Sequence, residues 1–235
     1  MKLKFSLILS LIFLFVGSAF CDNISFIGTN SSNTPSLSAT AVFTANAGTL
    51  SISLKNNNPA KDPASVLIAL FFDIAGSPSL TYSTGNVAGG SSFVGIAGNS
   101  DVKANGEWVF ASGSLSGVTQ HYGVGTAGLG IFSTGGGQQF NYGLINGVTG
   151  DANPQLADAT GKGNTFIDDT VLLTFTGLPA NFSVVNGISN VRFQYGTSLT
   201  EPFTTGVPQQ PVPEPASLAL LGSGLCAIAT RLRKR

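Results

Sequence analysis

Between residues 22 and 203 the apolar residues come in short runs, and Gly or Asn interrupts them at close intervals. That spacing constrains the fold more than any other feature, because it suits strands and turns and leaves little room for helices. In ATAVFTANAGTLSISLKNNN, Ala41, Phe43 and Ala45 alternate with Val42 and Thr44, and Leu50, Ile52 and Leu54 alternate with Ser51 and Ser53. Asn46-Ala47-Gly48 separates the two runs, so the stretch predicts a hairpin with one buried and one polar face. The continuous run VLIALFFDI, 66–74, fits either a strand buried on both faces or a short helix, and its length and flanking turn residues favour the strand. Further strands are expected at 80–83, 92–96, 107–111, 119–124, 130–133, 139–145, 169–176 and 191–195. A single helical turn is the most that 151–160 supports. The expected fold class is all-β, an antiparallel β-sandwich or jelly-roll-like single domain over 22–203.

Composition narrows the function classes. The body keeps five basic and ten acidic residues once the two ends are set aside, although the whole chain is formally neutral. Nucleic-acid binding needs a basic patch against phosphate, and none is supplied. The two cysteines, Cys21 and Cys226, fall in the end segments, so no disulfide can staple the body.

Both ends have their own patterns. Residues 1–21 begin with Lys2 and Lys4, run apolar from Leu7 to Val16, and offer Gly17, Ser18 and Ala19 to a peptidase. This predicts a secretory signal peptide, with cleavage after Ala19 or after Cys21. Its apolar run is shorter than the roughly 20 residues of a spanning helix. At the other end, 204–211 predicts a Pro-rich linker. Four prolines fall within 208–215, and such density should keep the chain out of a sheet and near polyproline II. Residues 216–230 are uncharged, and a helix of that length spans about 22 Å, short for a hydrocarbon core of about 30 Å. Arg231, Arg233, Lys234 and Arg235 then form a basic stop that should stay in the cytoplasm.

The order Val212-Pro213-Glu214-Pro215, apolar segment and basic end, over 212–235, closely resembles the PEP-CTERM sorting signal of exosortase substrates. That resemblance implies a transient transmembrane helix in the inner membrane and processing near the Pro-Glu-Pro core by a membrane-embedded exosortase. It further implies delivery to the cell surface or the extracellular matrix of an exopolysaccharide-producing Gram-negative bacterium. Envelope components such as exopolysaccharide are then the expected partners. The pattern AVFTANAGTLSISLKN…DPASVLIALFFDI is also similar to a module of several exosortase-dependent surface proteins. A non-enzymatic structural or adhesive role, in a biofilm for instance, follows as the expectation. A secreted polysaccharide hydrolase and a carbohydrate- or calcium-binding module are the alternatives.

Chemistry in the body is sparse. His121, the only histidine, is expected on a strand, and no Gly-x-Ser-x-Gly elbow accompanies it. Gly123–Gly128, GVGTAG, has dinucleotide-motif spacing without the helix that motif requires, and predicts a Gly-rich turn. Asp151, Asp168 and Asp169, with Asp158 nearby, are the candidates for calcium, but the EF-hand spacing is absent, and solvated turn residues, with Asp168 or Asp169 capping a strand, are the favoured reading. No catalytic residue and no cofactor is assigned. Trp108, Tyr82, Tyr122, Tyr142 and Tyr195 suit either sugar stacking or core packing.

Overall fold

The computed structural model describes residues 22–32, 36–59, 62–95, 98–132, 141–147 and 164–209. They form a mostly β body. The strands are β1 (Asp22–Asn30), β2 (Leu37–Asn46), β3 (Thr49–Asn56), β4 (Leu67–Ile74), β5 (Thr81–Val87), β6 (Ser92–Gly95) and β7 (Trp108–Ser112). They continue with β8 (Tyr122–Thr126), β9 (Leu144–Ile145), β10 (Thr165–Asp168), β11 (Thr170–Thr176), β12 (Ile188–Tyr195) and β13 (Phe203–Gln209). A four-residue helix, α1 (Val184–Gly187), precedes β12. The hydrogen-bonded order is β5-β11-β3-β2-β1-β13-β12-β4-β9-β10-β6, and β8 also pairs with β4 and carries β7. The sheet curls so that its two halves face each other as a barrel-like sandwich. Phe43 on β2 meets Phe72 on β4 at 5.2 Å between ring centroids, and Phe110 on β7 meets Phe175 on β11 at 5.0 Å. Aromatic pairs in tilted or edge geometry add specificity to the area they bury.

The two halves follow different burial rules. In β2 and β3 alternate residues are buried, and the outward positions carry Thr40, Val42, Thr44, Ser51 and Ser53. The connecting turn has Ala47 at φ 44° and Gly48 at φ 83°, the paired positive φ of a two-residue hairpin turn that follows the strand twist. β4 is instead covered on both faces, as its unbroken apolar run predicts. Leu70 and Phe72 enter the main core, whereas Ile68 and Phe71 join a second cluster with Leu129, Phe132 and Phe166.

The structure corrects several expectations. One pairing, β9 with β10, is parallel in an otherwise antiparallel set among the described residues. Residues 130–132 turn instead of forming a strand, and of the expected 139–145 strand the described part, 141–145, pairs only at Leu144–Ile145. Gly123 and Gly125 lie within β8, not in a turn. A Cβ at Gly123 would sit 2.7 Å from the Phe71 ring, and one at Gly125 would sit 2.6 Å from both Ala69 Cβ and the Phe132 ring. Bare backbone there lets large rings of the second cluster lie against the sheet.

The largest correction concerns 204–211. Strand β13 runs to Gln209, so the sheet continues through most of the stretch expected to be a linker. Pro208 is opposite Phe26 on β1, while pairing with β12 ends at Thr205. Proline lacks a donor, but beyond Thr205 the strand has a neighbour on one side only, and proline is tolerated where one edge is free. The expected end segments 1–21 and 212–235, the apolar stretch 216–230 included, lie outside the described residues, as do Asp151, Asp158 and 151–160. Among the described residues no helix is long and apolar enough to cross a membrane.

Candidate functional site

The C-terminal segment leaves the body from β13, so the seam that holds β13 sets where that segment starts. β13 lies between β1 and β12, with Ser25 opposite Gln209, Gly28 opposite Gly206 and Phe193 opposite Thr204. This is the corner where one half of the sheet turns into the other. A Cβ on Gly28 would fall 2.6 Å from the Phe193 ring, and one on Gly206 would fall 2.8 Å from Val191 Cβ. Glycine in strand interiors often marks such corners, because only a missing side chain allows the close approach. Thr204 and Phe193 are buried in the corner, while Phe203 and Val207 face outward. The Arg192 guanidinium lies 4.0 Å above the exposed Phe203 ring and donates to Gln194 Oε1 and to the Leu199 carbonyl.

Gln194 is fully buried and holds the loop that leads into β13. Its amide nitrogen lies within 3.3 Å of the carbonyls of Tyr195, Ser198, Glu201 and Pro202. Glu201 closes the same loop by accepting from the Thr197 amide at 2.8 Å and hydroxyl at 2.6 Å. The pole where β13 ends is also where β1 starts. There the Asp22 carboxylate accepts from the Val184 amide at 2.7 Å, fixing the start of β1 to α1. Asp22, the 45–48 turn and residues 179–183 line a cavity of about 270 Å³ at this pole.

The other predicted residues separate. His121 lies just before β8, not on it, and its side chain is mostly exposed. Its Nδ1 is 2.9 Å from Asp73 Oδ1, and its amide donates to the same oxygen at 2.8 Å. Asn190 Nδ2 donates to Asp73 Oδ2 at 2.9 Å, and Gln120 Nε2 donates to Asn190 Oδ1 at 3.1 Å. Partial burial would raise the Asp73 pKa, but the hydrogen bonds from Asn190 and His121 outweigh it and hold the carboxyl below its ordinary value. This cluster ties the 119–121 loop to β4 and β12.

Of the calcium candidates within the described residues, Asp168 accepts from the Gly147 amide at 2.7 Å. Asp169, at φ 100°, forms an ion pair with Lys55 at 2.6 Å and accepts from the Thr170 hydroxyl at 2.9 Å. The Lys55 hydrogen bond holds its carboxyl below the ordinary value. Among the described residues no group of three or more His, Cys, Asp or Glu is close enough to share a metal ion.

The aromatic residues take the packing role. Trp108 is buried and donates from Nε1 to the Tyr142 carbonyl at 3.0 Å. Tyr122 stacks near Phe72 and donates to the Pro78 carbonyl at 2.7 Å, and Tyr82 stacks on Phe175. Tyr195 is fully buried, and that burial pushes its phenol pKa well up. A shallow depression of about 250 Å³ lies instead on the outward face of β2, β3 and β11, among Val42, Thr44, Ser51, Ser53, Leu172 and Thr174.

Sequence reasoning passed over Gln194, Asp22 and Asn56. Asn56 is buried on β3 and donates to the carbonyls of Ser65 and Leu144. Polar residues on strands carry no local sign of such roles when their partners are remote in sequence.

The body is thus a β-rich unit whose last strand hands over directly to a Pro-rich, apolar and basic C-terminal segment. That segment is a PEP-CTERM protein-sorting motif, matched by the family over residues 211–235. The motif implies processing by an exosortase and membrane-linked sorting of an exported protein to the cell surface. No curated protein and no solved structure matches the chain.

Proposed function

We propose that this chain is an exported surface or extracellular-matrix protein of an exopolysaccharide-producing Gram-negative bacterium, with a non-enzymatic structural or adhesive role. Residues 1–21 act as the signal peptide. Residues 212–235 hold the chain in the inner membrane, Arg231, Arg233, Lys234 and Arg235 remaining on the cytoplasmic side. An exosortase then processes it near Pro213-Glu214-Pro215. The observation that carries this reading is the match of the sorting motif over 211–235, two residues after β13 ends.

Two features of the body support the non-enzymatic part. The Asp73, Asp168 and Asp169 carboxylates are each engaged by partners within the fold. The outward face of β2 and β3 offers hydroxyls and methyls with little charge, a surface suited to packing against other neutral envelope material.

The test is deletion of 211–235 in the native host, followed by fractionation of cells and medium. The truncated chain is expected in the periplasm or medium and lost from the surface. Unchanged surface retention would refute the reading.

A further inference from the structure

We propose that the body closes its sheet, β13 included, while its ends are still held at the membrane, so that the sorting segment is cut from an already folded body. The inference rests on the sorting reading and goes beyond it by setting the order of folding and processing.

Three observations carry it. First, both ends of the body leave at one pole. β1 begins at Asp22, directly after the leader, and β13 runs antiparallel beside it to Gln209, opposite Ser25. Neighbouring strands lie about 4.8 Å apart. A chain anchored at its two ends can therefore fold with both anchors in one membrane, and neither end has to thread past the body.

Second, β13 joins the two halves of the sheet, its first part, 203–205, pairing with β12 and its last part, 206–209, with β1. Thr204 within it is only 2% exposed. Pulling it out to reach an enzyme would open two seams and uncover Phe26 and Phe193 at the corner. Such an opening is unfavourable, because it exposes apolar area and leaves ladder groups without partners.

Third, the tether is short. Pro213 is four residues beyond Gln209, which span at most about 14 Å when fully extended. The folded body thus stands next to the cutting site, with the Asp22 pole toward the membrane. Among the described residues Asp22 is the single charged side chain lining the cavity there, and its carboxylate is bonded to the Val184 amide.

An engineered cross-link across the seam tests the order of events. Ser25→Cys with Gln209→Cys places two thiols directly opposite each other, on a background of Cys21→Ala and Cys226→Ala. Opposite Cα atoms in an antiparallel pair are about 4.5–5.5 Å apart, within disulfide range, and the periplasm is oxidising. The disulfide is expected on pulse-labelled full-length chain, identified by intact mass, in cells that lack the exosortase. When the enzyme is supplied, the cross-linked chain should be cut within twofold of the rate of the Ser25→Cys single variant. A disulfide that appears only on the cut product would overturn the proposal. So would a cross-linked precursor that stays uncut while the single variant is processed. If the unsubstituted chain is never cut near Pro213, the sorting reading itself fails, and this inference with it.

Discussion

The two halves of the sheet reach the same burial by different routes. Around β2, β3 and β11 each strand hides one face and exposes the other, so Leu173 is buried while Leu172 beside it is 43% exposed. Around β4 both faces are covered. Phe72 packs across the sandwich, and Phe71 packs outward under Phe132 at 5.8 Å. The second layer exists because β8 supplies Gly123 and Gly125, whose missing side chains make room for Phe71 and Phe132. The outward face of a strand is therefore a variable of the fold: it is solvent on one half and a second core on the other.

Substitutions on the two halves can break or sharpen that contrast. The largest effect is expected for Phe72→Ala, which removes a fully buried ring shared between Phe43 and Tyr122. It should destabilise the body by about 3–5 kcal/mol in denaturant unfolding. A loss under 1 kcal/mol would mean that the two halves do not share a core.

Next in size is Gly125→Val. Its side chain would meet Ala69, Phe132 and the Ile68 carbonyl within 2.7 Å, so overpacking should cost about 1–3 kcal/mol. Gly130→Ala has open space around it and serves as the comparison, with little change in unfolding midpoint.

Asp73→Asn is expected to cost about 1 kcal/mol near neutral pH, by weakening the charge-assisted bonds from His121 and Asn190. The sign of its pH dependence follows from a folded pKa held below the unfolded value near 3.8. The contribution is present above that unfolded value and is lost as pH falls through the folded one. The stability difference between the two proteins should be flat above about pH 5 and shrink below about pH 4. A difference that grows on acidification would contradict the assigned bonds.

The smallest effect is expected for Leu172→Ser, on the solvent side of β11. It should stay within about 0.5 kcal/mol. A larger loss would show that this face also packs against something, in the manner of β4.

How much was legible in the sequence depends on the range of the signal. The β2–β3 hairpin was readable from alternation and from the Asn46-Ala47-Gly48 break between the two runs, where Gly48 adopts positive φ freely. The two-sided burial of β4 followed from its unbroken apolar run. The sorting segment was readable because it depends on the order of local properties, proline, then apolar length, then basic charge. β13 was not legible. FTTGVPQ has one clear outward apolar alternation, two residues that weaken strands, and prolines that continue past it. It becomes a strand because β1 and β12 present ladder groups to it and Gly28 clears the corner. The carboxylates were visible as residues, but their partners Gly147, Lys55 and Asn190 were not, since each contact joins segments distant in the chain.

The sequence by itself determined the β class, the hairpin, the doubly covered strand and the C-terminal sorting address, because each follows from neighbouring residues. Only the tertiary structure decided that the body extends through Gln209, that its two ends share one pole, and that Asp73, Asp168 and Asp169 bind within the fold. Those outcomes depend on pairing across long sequence separations, where a strand is stabilised by the neighbours it finds as much as by its own propensity.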